Sequence, residues 1–254
     1  MSSKVSFKLT LEYDGTDFAG WQLQVGRRTV EGELRQALAR LPLKLEGLWA
    51  AGRTDAGAHA EGQVVSVRCV TALTPLRLRG ALNALLPADV AVLQLEEVGP
   101  TFHARYDARW RKYRYRYLLG EVRSPLHHRY SWGVGTDLQL APMQESARAL
   151  IGTHDWTTFS MAGGNPNRVR EICQAIVEQR GRYIELELVG RGFLRGMVRS
   201  IAAALAEVGL GRRPSEWVGE ILRARDRRLS PRPAPAAGLT LVEVEYAEVG
   251  AELV

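Results

Sequence analysis

A run of small residues, AGRTDAGAHA (51–60), carries one cation, one anion and one imidazole. Its long side chains belong to Arg53, Asp55 and His59, and alanine or glycine surrounds them. Small residues let the backbone turn tightly and let another molecule approach it closely. Two interpretations follow. Asp55 either closes a surface turn by bonding its own backbone, or it is a catalytic carboxylate on a loop that admits a bulky substrate. The local pattern alone favours the turn.

A second group of chemically useful residues lies in RYDARWRKYRYR (105–116), which holds six cations and one acid among aromatic rings. If 112–117 is a strand, successive side chains face opposite ways. Three tyrosines then share one face and three cations the other: Tyr113, Tyr115 and Tyr117, against Lys112, Arg114 and Arg116. This pattern fits a buried tyrosine face with a solvated basic face. It fits equally a surface that binds nucleic acid, where cations meet phosphates and rings stack on bases.

Two further stretches add arginines. Helical spacing over 193–208 places an apolar stripe on one side of a helix: Leu194, Met197, Ile201, Leu205 and Val208. Arg195 and Arg199 then fall together on a flank away from that stripe, and Gly196 leaves the first turns open to close approach. The stretch RARDRRLSPRP (223–233) contains five more arginines. We expect it to form another edge that contacts phosphate.

The elements that must position these residues alternate between strands and helices, which predicts an α/β fold. The first half, 1–104, contains strands 5–13, 64–70 and 90–98, a helix after Thr29 and another at 75–86, with the loop 51–62 between them. The second half, 105–254, contains strands 112–119, 172–179, 182–189 and 239–246, with helices 142–151, 193–208 and 214–223. Two halves of comparable rhythm predict a paired architecture around a cleft.

Composition limits the class of protein. The 254 residues are 46% hydrophobic and 24% charged, which is typical of a globular chain that buries a core. Cys69 and Cys173 form no CxxC pair, so a reducing compartment is expected and a cysteine metal site is not. The N-terminal residues contain no apolar segment of a signal peptide, and no stretch reaches the ~18 apolar residues that span a bilayer. We expect a soluble, cytoplasmic protein.

Several chemistries lack their motifs. LTLEYDGTDF (9–18) resembles the strand-end motif of haloacid-dehalogenase-like phosphatases, but Glu12 stands at the nucleophile position and no later acid pair for magnesium follows. The five histidines lack the spacing of helical metal ligands. The sequence also lacks a dinucleotide-binding GxGxxG, a GKS or GKT phosphate loop and a GxSxG elbow. The candidates that remain are a carboxylate, arginines and tyrosines, with no metal and no cofactor.

Eight stretches, in order along the chain, resemble the TruA-type tRNA pseudouridine synthases: YDGTDFAGWQ, TVEGELRQAL, AGRTDAGAHA, LNALLPADV, FHARYDARWRKYRYRY, GTHDWTTFS, FLRGMVRSI and GLTLVEVEY. The resemblance implies the pseudouridine synthase fold, with two similar α/β halves around a central active-site cleft, in a homodimer. It also implies isomerisation of uridine to pseudouridine at positions 38, 39 and 40 of the tRNA anticodon arm, without metal or cofactor. The alternative is a tRNA-binding protein that chaperones this arm without chemistry.

The resemblance also assigns roles. Asp55 matches the essential carboxylate, and Arg199, in MVR, matches the arginine that keeps it ionised and fixed. Tyr113 matches the tyrosine that stacks on the target base, and Arg53 an arginine that enters the stem and helps to expel the uridine. The expected RNA-binding set is Arg53, Thr54, Tyr113, Arg114 and Arg195. Many relatives carry two histidines where this chain has Arg195 and Gly196, and the resemblance leaves the role of His59 open.

Overall fold

The computed structural model describes residues 3–120, 122–163 and 166–247. The strands are β1 (Ser3–Tyr13), β2 (Leu43–Ala50), β3 (His59–Thr71), β4 (Val90–Val98), β5 (Ala108–Leu119), β6 (Trp132–Gly135), β7 (Gly152–Asp155), β8 (Val169–Arg180), β9 (Tyr183–Gly190) and β10 (Leu239–Tyr246). The helices are α1 (Val30–Ala39), α2 (Pro75–Leu85), α3 (Leu140–Arg148), α4 (Met197–Gly209) and α5 (Trp217–Ala224). Antiparallel strand pairs predominate, and β6 runs parallel to β5, so the predicted mixed α/β class is confirmed.

The chain divides into two compact units. The first comprises Met1–Arg109 together with Leu241–Val254, and the second comprises Trp110–Thr240. The predicted boundary was at residue 104, with the C-terminal strand in the second half. In the structure, most of β10 belongs to the first unit.

In the first unit the strand order is β4-β1-β3-β10, and β2 also pairs with β3. β1 is antiparallel to both β3 and β4. Its alternating residues Phe7, Leu9, Leu11 and Tyr13 are buried, which confirms the half-buried strand that the sequence predicts. Helix α1 begins where expected, because the Thr29 side chain accepts a hydrogen bond from the Gly32 amide.

Two elements of the first unit differ from expectation. β2 has no counterpart among the predicted strands, and β3 begins at His59, so residues 59–62 are strand rather than loop. The register of β2 against β3 shifts between Leu45 and Gly47. A β-bulge of this kind interrupts the alternation on which recognition of a strand depends.

In the second unit the strand order is β5-β9-β8-β7, with β6 beside β5. Helix α3 packs on β8 and on helices α4 and α5. Helix α4 is almost entirely buried along its length, including Ile201, Leu205 and Val208 of the predicted stripe. Because α4 is buried, it gives a fixed position to the residues at its N-terminal end.

The predicted faces of β5 are correct only in part. Tyr113, Tyr115 and Tyr117 are buried, as the alternation predicts. The opposite face is not solvated throughout, because Arg114 is only 9% exposed. β9 places the buried Glu185 carboxylate there, 2.6 Å from Arg116 Nε and 3.9 Å from Arg114 Nε. A buried acid on the neighbouring strand explains how a cationic face can turn inward.

The predicted start of the helix at 193 is wrong. α4 begins at Met197, and Gly196 precedes it with φ +70°. This left-handed conformation suits glycine and cannot continue a helix. Arg195 and Arg199 are thus not neighbours on one helical flank. The space expected beside Gly196 is also filled, since an added Cβ would lie 2.7 Å from Cγ of Met161.

Candidate active-site residues

The loop that carries Asp55 is fixed by backbone hydrogen bonds to the segment after β1. The Trp21 amide donates to the Thr54 carbonyl at 3.1 Å, and the Gly57 amide donates to the Phe18 carbonyl at 3.2 Å. Within the loop, the Ala58 amide donates to the Asp55 carbonyl at 3.1 Å. Residues on both sides of Asp55 are therefore held, while its own side chain is half-exposed.

Two glycines permit this close approach. A Cβ on Gly15 would lie 1.8 Å from the Ala58 carbonyl oxygen, so no side chain fits there. Gly20 has φ +95°, and a Cβ on it would lie 2.8 Å from the Thr54 carbonyl oxygen. The DGTDFAG segment (14–20) therefore contacts the loop from Thr54 to Ala58 directly through its backbone.

Thr54 points into the first unit. Its hydroxyl lies 2.8 Å from the Tyr13 hydroxyl, and both side chains are buried. Gln63 donates to the Gly52 carbonyl at 2.8 Å and so fixes the start of the same loop. Burial raises the pKa of Tyr13 to about 12, against the smaller lowering effect of its hydrogen bond with Thr54. Tyr13 is therefore a neutral hydroxyl at physiological pH.

His59 has a structural contact at the end of the loop. Its Nδ1 accepts a hydrogen bond from the Gly15 amide at 3.1 Å. The same Nδ1 lies 3.2 Å from Asp14 Oδ1, so the ring contacts both residues of the turn. His59 links the turn after β1 to the first residue of β3.

Tyr113 is positioned by β5 and by one neighbouring ring. It is 6% exposed and lies opposite Leu188 of β9. The Phe193 ring meets it edge-on, with centroids 4.8 Å apart and planes at 72°. Gly190 makes room for Phe193, because a Cβ there would lie 3.2 Å from Cζ of Phe193. Sequence reasoning did not pair these residues, since they are far apart in the chain.

Arg199 is held in the first turn of α4. Its Nε donates to the Ala234 carbonyl at 2.7 Å, and the Ala234 amide donates back to the Arg199 carbonyl at 3.0 Å. The side chain is half-buried, so this bond restricts where the guanidinium lies. Its positive charge also reaches Tyr115, where it opposes the stronger effect of burial, which raises the pKa of that tyrosine well above its usual range.

The remaining predicted residues differ in their exposure to solvent. Arg53 and Arg195 are exposed, whereas Arg114 is buried near Glu185. Asp55, Arg53 and Thr54 belong to the first unit, and Tyr113, Arg114, Arg195 and Arg199 belong to the second. Each unit therefore contains its own part of the predicted set.

The arginines of 223–233 are mostly exposed. Arg223, Arg225, Arg228 and Arg232 all face solvent, although Arg228 also pairs with Asp226 at 2.7 Å. Arg227 is half-buried and donates to the carbonyls of Thr158 and Pro231 at 3.3 and 3.4 Å. Four of the five cations of this stretch are thus available to an anionic ligand.

In residues 3–120, 122–163 and 166–247, no group of three or more histidine, cysteine, aspartate or glutamate side chains is arranged to hold a metal ion. No helix in these ranges is both long and apolar enough to cross a membrane.

Comparison with known proteins agrees with the resemblance seen in the motifs. A sequence profile described as tRNA pseudouridine synthase matches residues 146–247. The tRNA pseudouridine synthase A of Anoxybacillus flavithermus is 42% identical over 241 residues, which cover 94% of this chain and 98% of that protein. The tRNA pseudouridine synthase A of Thermus thermophilus is 44% identical over 246 residues, which cover 94% and 96%. Such identity extends across nearly the whole of each chain, and it shows that this chain belongs to the tRNA pseudouridine synthase A family.

Proposed function

We propose that this chain, an isomerase that converts uridine to pseudouridine in tRNA, acts at positions 38, 39 and 40 of the anticodon arm. Asp55 is its catalytic carboxylate, and the reaction uses neither metal nor cofactor. We further propose that the enzyme works in the cytoplasm as a homodimer.

The observation that carries the catalytic role of Asp55 is the way its loop is held. Backbone bonds fix Thr54 and Gly57 on either side of it, and the neighbouring Ala56 is exposed and small. A surface turn does not need such bonds to a second segment. A reacting group does, because displacement by about 1 Å can cost two orders of magnitude in rate.

The chemistry requires no redox partner. The bond from N1 of the base to C1′ of the ribose breaks, the base turns, and a bond from C5 to C1′ forms. The proton on C5 leaves to solvent and N1 takes up a proton, so atoms and electrons balance. An ionised carboxylate serves this reaction by attacking the sugar, attacking the base or removing a ribose proton. Each route requires Asp55 in its charged form.

The other residues act around this step. In our proposal Tyr113 stacks on the target base and assists the loss of the C5 proton, and Arg199 provides the positive charge that favours an ionised carboxylate. Arg53 occupies the space that the uridine leaves when it is extruded, which offsets part of the lost stacking. Of the remaining RNA-binding candidates, the exposed Arg195 contacts the RNA directly, whereas the buried Thr54 and Arg114 act by positioning the Asp55 loop and strand β5.

The test is tritium release from tRNA that carries C5-labelled uridine, measured for the parent and for Asp55→Asn. The amide keeps the side-chain volume but is neither a base nor a nucleophile. We expect a folded variant that binds tRNA at least as tightly as the parent and releases no detectable tritium. Asp137→Asn, at an exposed aspartate, is the matched control, and we expect it to keep the activity of the parent.

If the protein is instead a non-catalytic tRNA chaperone, the expected result for the parent is the opposite. It binds tRNA tightly, and neither parent nor variant releases tritium from any tRNA tested. Substantial release by a folded Asp55→Asn variant leaves the isomerase standing but removes Asp55 from the catalytic role.

A further inference from the structure

Three aromatic rings of the first unit form a row that ends in solvent. Trp49 of β2 lies 5.4 Å from His103 between ring centroids, and His103 lies 4.3 Å from Tyr106. A guanidinium stands at each end, with Arg68 5.0 Å from the Trp49 ring and Arg105 5.7 Å from the Tyr106 ring. We call Trp49, His103 and Tyr106 the ring ladder.

Hydrogen bonds from buried residues fix the backbone that carries the ring ladder. The buried Ser66 hydroxyl accepts from the Ala104 amide at 3.2 Å and donates to the Trp49 carbonyl at 3.4 Å. The Tyr246 hydroxyl donates to the Ala104 carbonyl at 2.7 Å. Ala104 is itself fully buried. The turn that presents His103 and Tyr106 is therefore attached to β2, β3 and β10.

The turn also fixes the orientation of its own rings. The His103 amide donates to Asp107 Oδ2 at 2.8 Å, and the Arg105 amide donates to His103 Nδ1 at 3.1 Å. The latter bond engages Nδ1 and so fixes the orientation of the His103 ring. Gly47 admits the Trp49 ring, because a Cβ on Gly47 would lie 2.0 Å from it.

Burial of apolar area does not explain why the last ring of the ladder, Tyr106, lies at the surface. Tyr106 is 74% exposed, and Arg105 beside it is exposed as well. A purely structural cluster encloses its terminal ring, since the gain comes from apolar area removed from water. A rigid, exposed ring next to a guanidinium is instead the arrangement that takes a nucleobase by stacking and its phosphate by charge.

We propose that the ring ladder binds an unpaired nucleotide of the tRNA substrate other than the uridine that is isomerised, with the base stacked on Tyr106 and a phosphate near Arg105. The proposal rests on the proposed function in that it takes tRNA as the ligand. It adds an RNA contact on the first unit that lies outside the loop of Asp55. A contact of this kind contributes to tRNA affinity and leaves the chemical step unchanged.

The test compares Tyr106→Ala with Tyr106→Trp, using direct binding of full-length tRNA and the kinetics of tritium release. Because Tyr106 is exposed, both variants should unfold at the temperature of the parent. We expect Tyr106→Ala to raise Kd and KM for tRNA about 5- to 100-fold, as loss of one stacked base does, with kcat unchanged. Tyr106→Trp keeps a stacking ring and should bind like the parent. Tyr130→Ala, at a 40% exposed tyrosine outside the ladder, is the control and should not weaken binding.

Four results overturn the proposal. Tyr106→Ala binds tRNA like the parent, Tyr106→Trp binds as weakly as Tyr106→Ala, or the control loses affinity equally. In the fourth, Tyr106→Ala changes the mass of the protein in solution, which makes the ladder an interface between copies. Direct binding keeps this test separate from the proposed function, since an inactive parent that loses tRNA affinity on Tyr106→Ala still supports the ladder.

Discussion

Arg53, Thr54 and Asp55 are consecutive, yet the fold gives each a different environment. Arg53 is exposed, Thr54 is buried against Tyr13, and Asp55 is half-exposed. The cause lies in the partners of Thr54, whose carbonyl and hydroxyl are both bonded inside the first unit. With Thr54 turned inward, its two charged neighbours are left at the surface, where they can meet a substrate.

Tyr113 permits a substitution that separates its ring from its hydroxyl. Tyr113→Phe keeps the edge-on contact with Phe193 and removes only the hydroxyl. If that hydroxyl assists proton transfer, kcat should fall about 100-fold or more, while tRNA affinity stays within about twofold. Tritium release and tRNA binding on one preparation measure both quantities.

The control for this change is Tyr183→Phe, which removes a hydroxyl that bonds His127 in the same unit. It should leave kcat unaltered. An unchanged kcat in Tyr113→Phe would show that the ring alone does the work of Tyr113.

At the scale of elements, the segment after β1 and the loop of Asp55 are packed against each other, so a change in one should move the other. Gly20→Ala should displace the loop, because the added Cβ lies 2.8 Å from the Thr54 carbonyl oxygen. Gly26→Ala is a matched control, since Gly26 also has positive φ but meets nothing within 4 Å. Both variants lose about 1–2 kcal/mol from the left-handed backbone. Only Gly20→Ala should also lose kcat, by about tenfold or more, in a tritium-release assay.

If both glycine variants keep the kcat of the parent, catalysis tolerates this displacement of the loop. If both lose kcat to the same extent, the cause is backbone strain in general rather than the contact with Thr54.

The contacts between β5 and β9 lead to a prediction about the free energy of unfolding. Glu185 is 4% exposed and faces Arg116 at 2.6 Å, with Arg114 and Arg180 at 3.9 and 3.6 Å. Glu185→Gln removes the charge that neutralises these cations and should lower the free energy of unfolding by about 3 kcal/mol. Glu187→Gln, two residues along β9 and less buried, should change it by no more than about 0.5 kcal/mol. Urea unfolding measures both, and similar losses would contradict the role given to Glu185.

The elements show which parts of this fold are readable from sequence. Strands β4 and β10 match their predicted ranges, 90–98 and 239–246, because each is a run rich in Val and Leu that follows turn-forming residues, Pro87 to Asp89 and Gly238. β2 was missed, since its alternation breaks at Gly47, where the register shifts. The start of α4 was misplaced, because helical periodicity does not reveal the positive φ of Gly196.

The same limit applies to the candidate residues. Residue types and motif order suffice to nominate Asp55, Tyr113 and Arg199. They do not reveal that Arg114 is turned toward a buried acid, which depends on the register of β9 against β5. Nor do they reveal the contact between Tyr113 and Phe193, which joins positions distant in sequence. Such facts arise from tertiary pairing and have no local signal.

For the whole molecule, buried tyrosines link stability to pH. Burial raises the pKa of Tyr13 from 10.0 to about 12 and raises those of Tyr115 and Tyr117 further. Above about pH 10 the unfolded chain loses these protons while the folded chain keeps them, so stability falls as pH rises. Each tyrosine contributes a slope of about 1.4 kcal/mol per pH unit over its window.

Urea unfolding at about pH 9 and about pH 11 measures this slope. Tyr13→Phe should be less stable than the parent at the lower pH, because the bond to Thr54 is lost. It should also lose less stability between the two pH values, since one titrating group is gone. A slope identical to that of the parent would mean that Tyr13 ionises as readily in the folded protein as in the unfolded chain.

The return of β10 to the first unit has a consequence for how the protein is made. Synthesis on the ribosome delivers Trp110–Thr240 before the segment from Leu241 that supplies the remaining strand of the first unit. The second unit is continuous in the chain, whereas the first lacks most of β10 until the C-terminal segment has emerged, and the part of the β3 edge that β2 does not cover stays open until then. A chain that ends at Thr240 therefore contains every residue of the second unit and lacks most of one strand of the first. Chaperones and proteases would encounter this unfinished first unit, which carries the Asp55 loop.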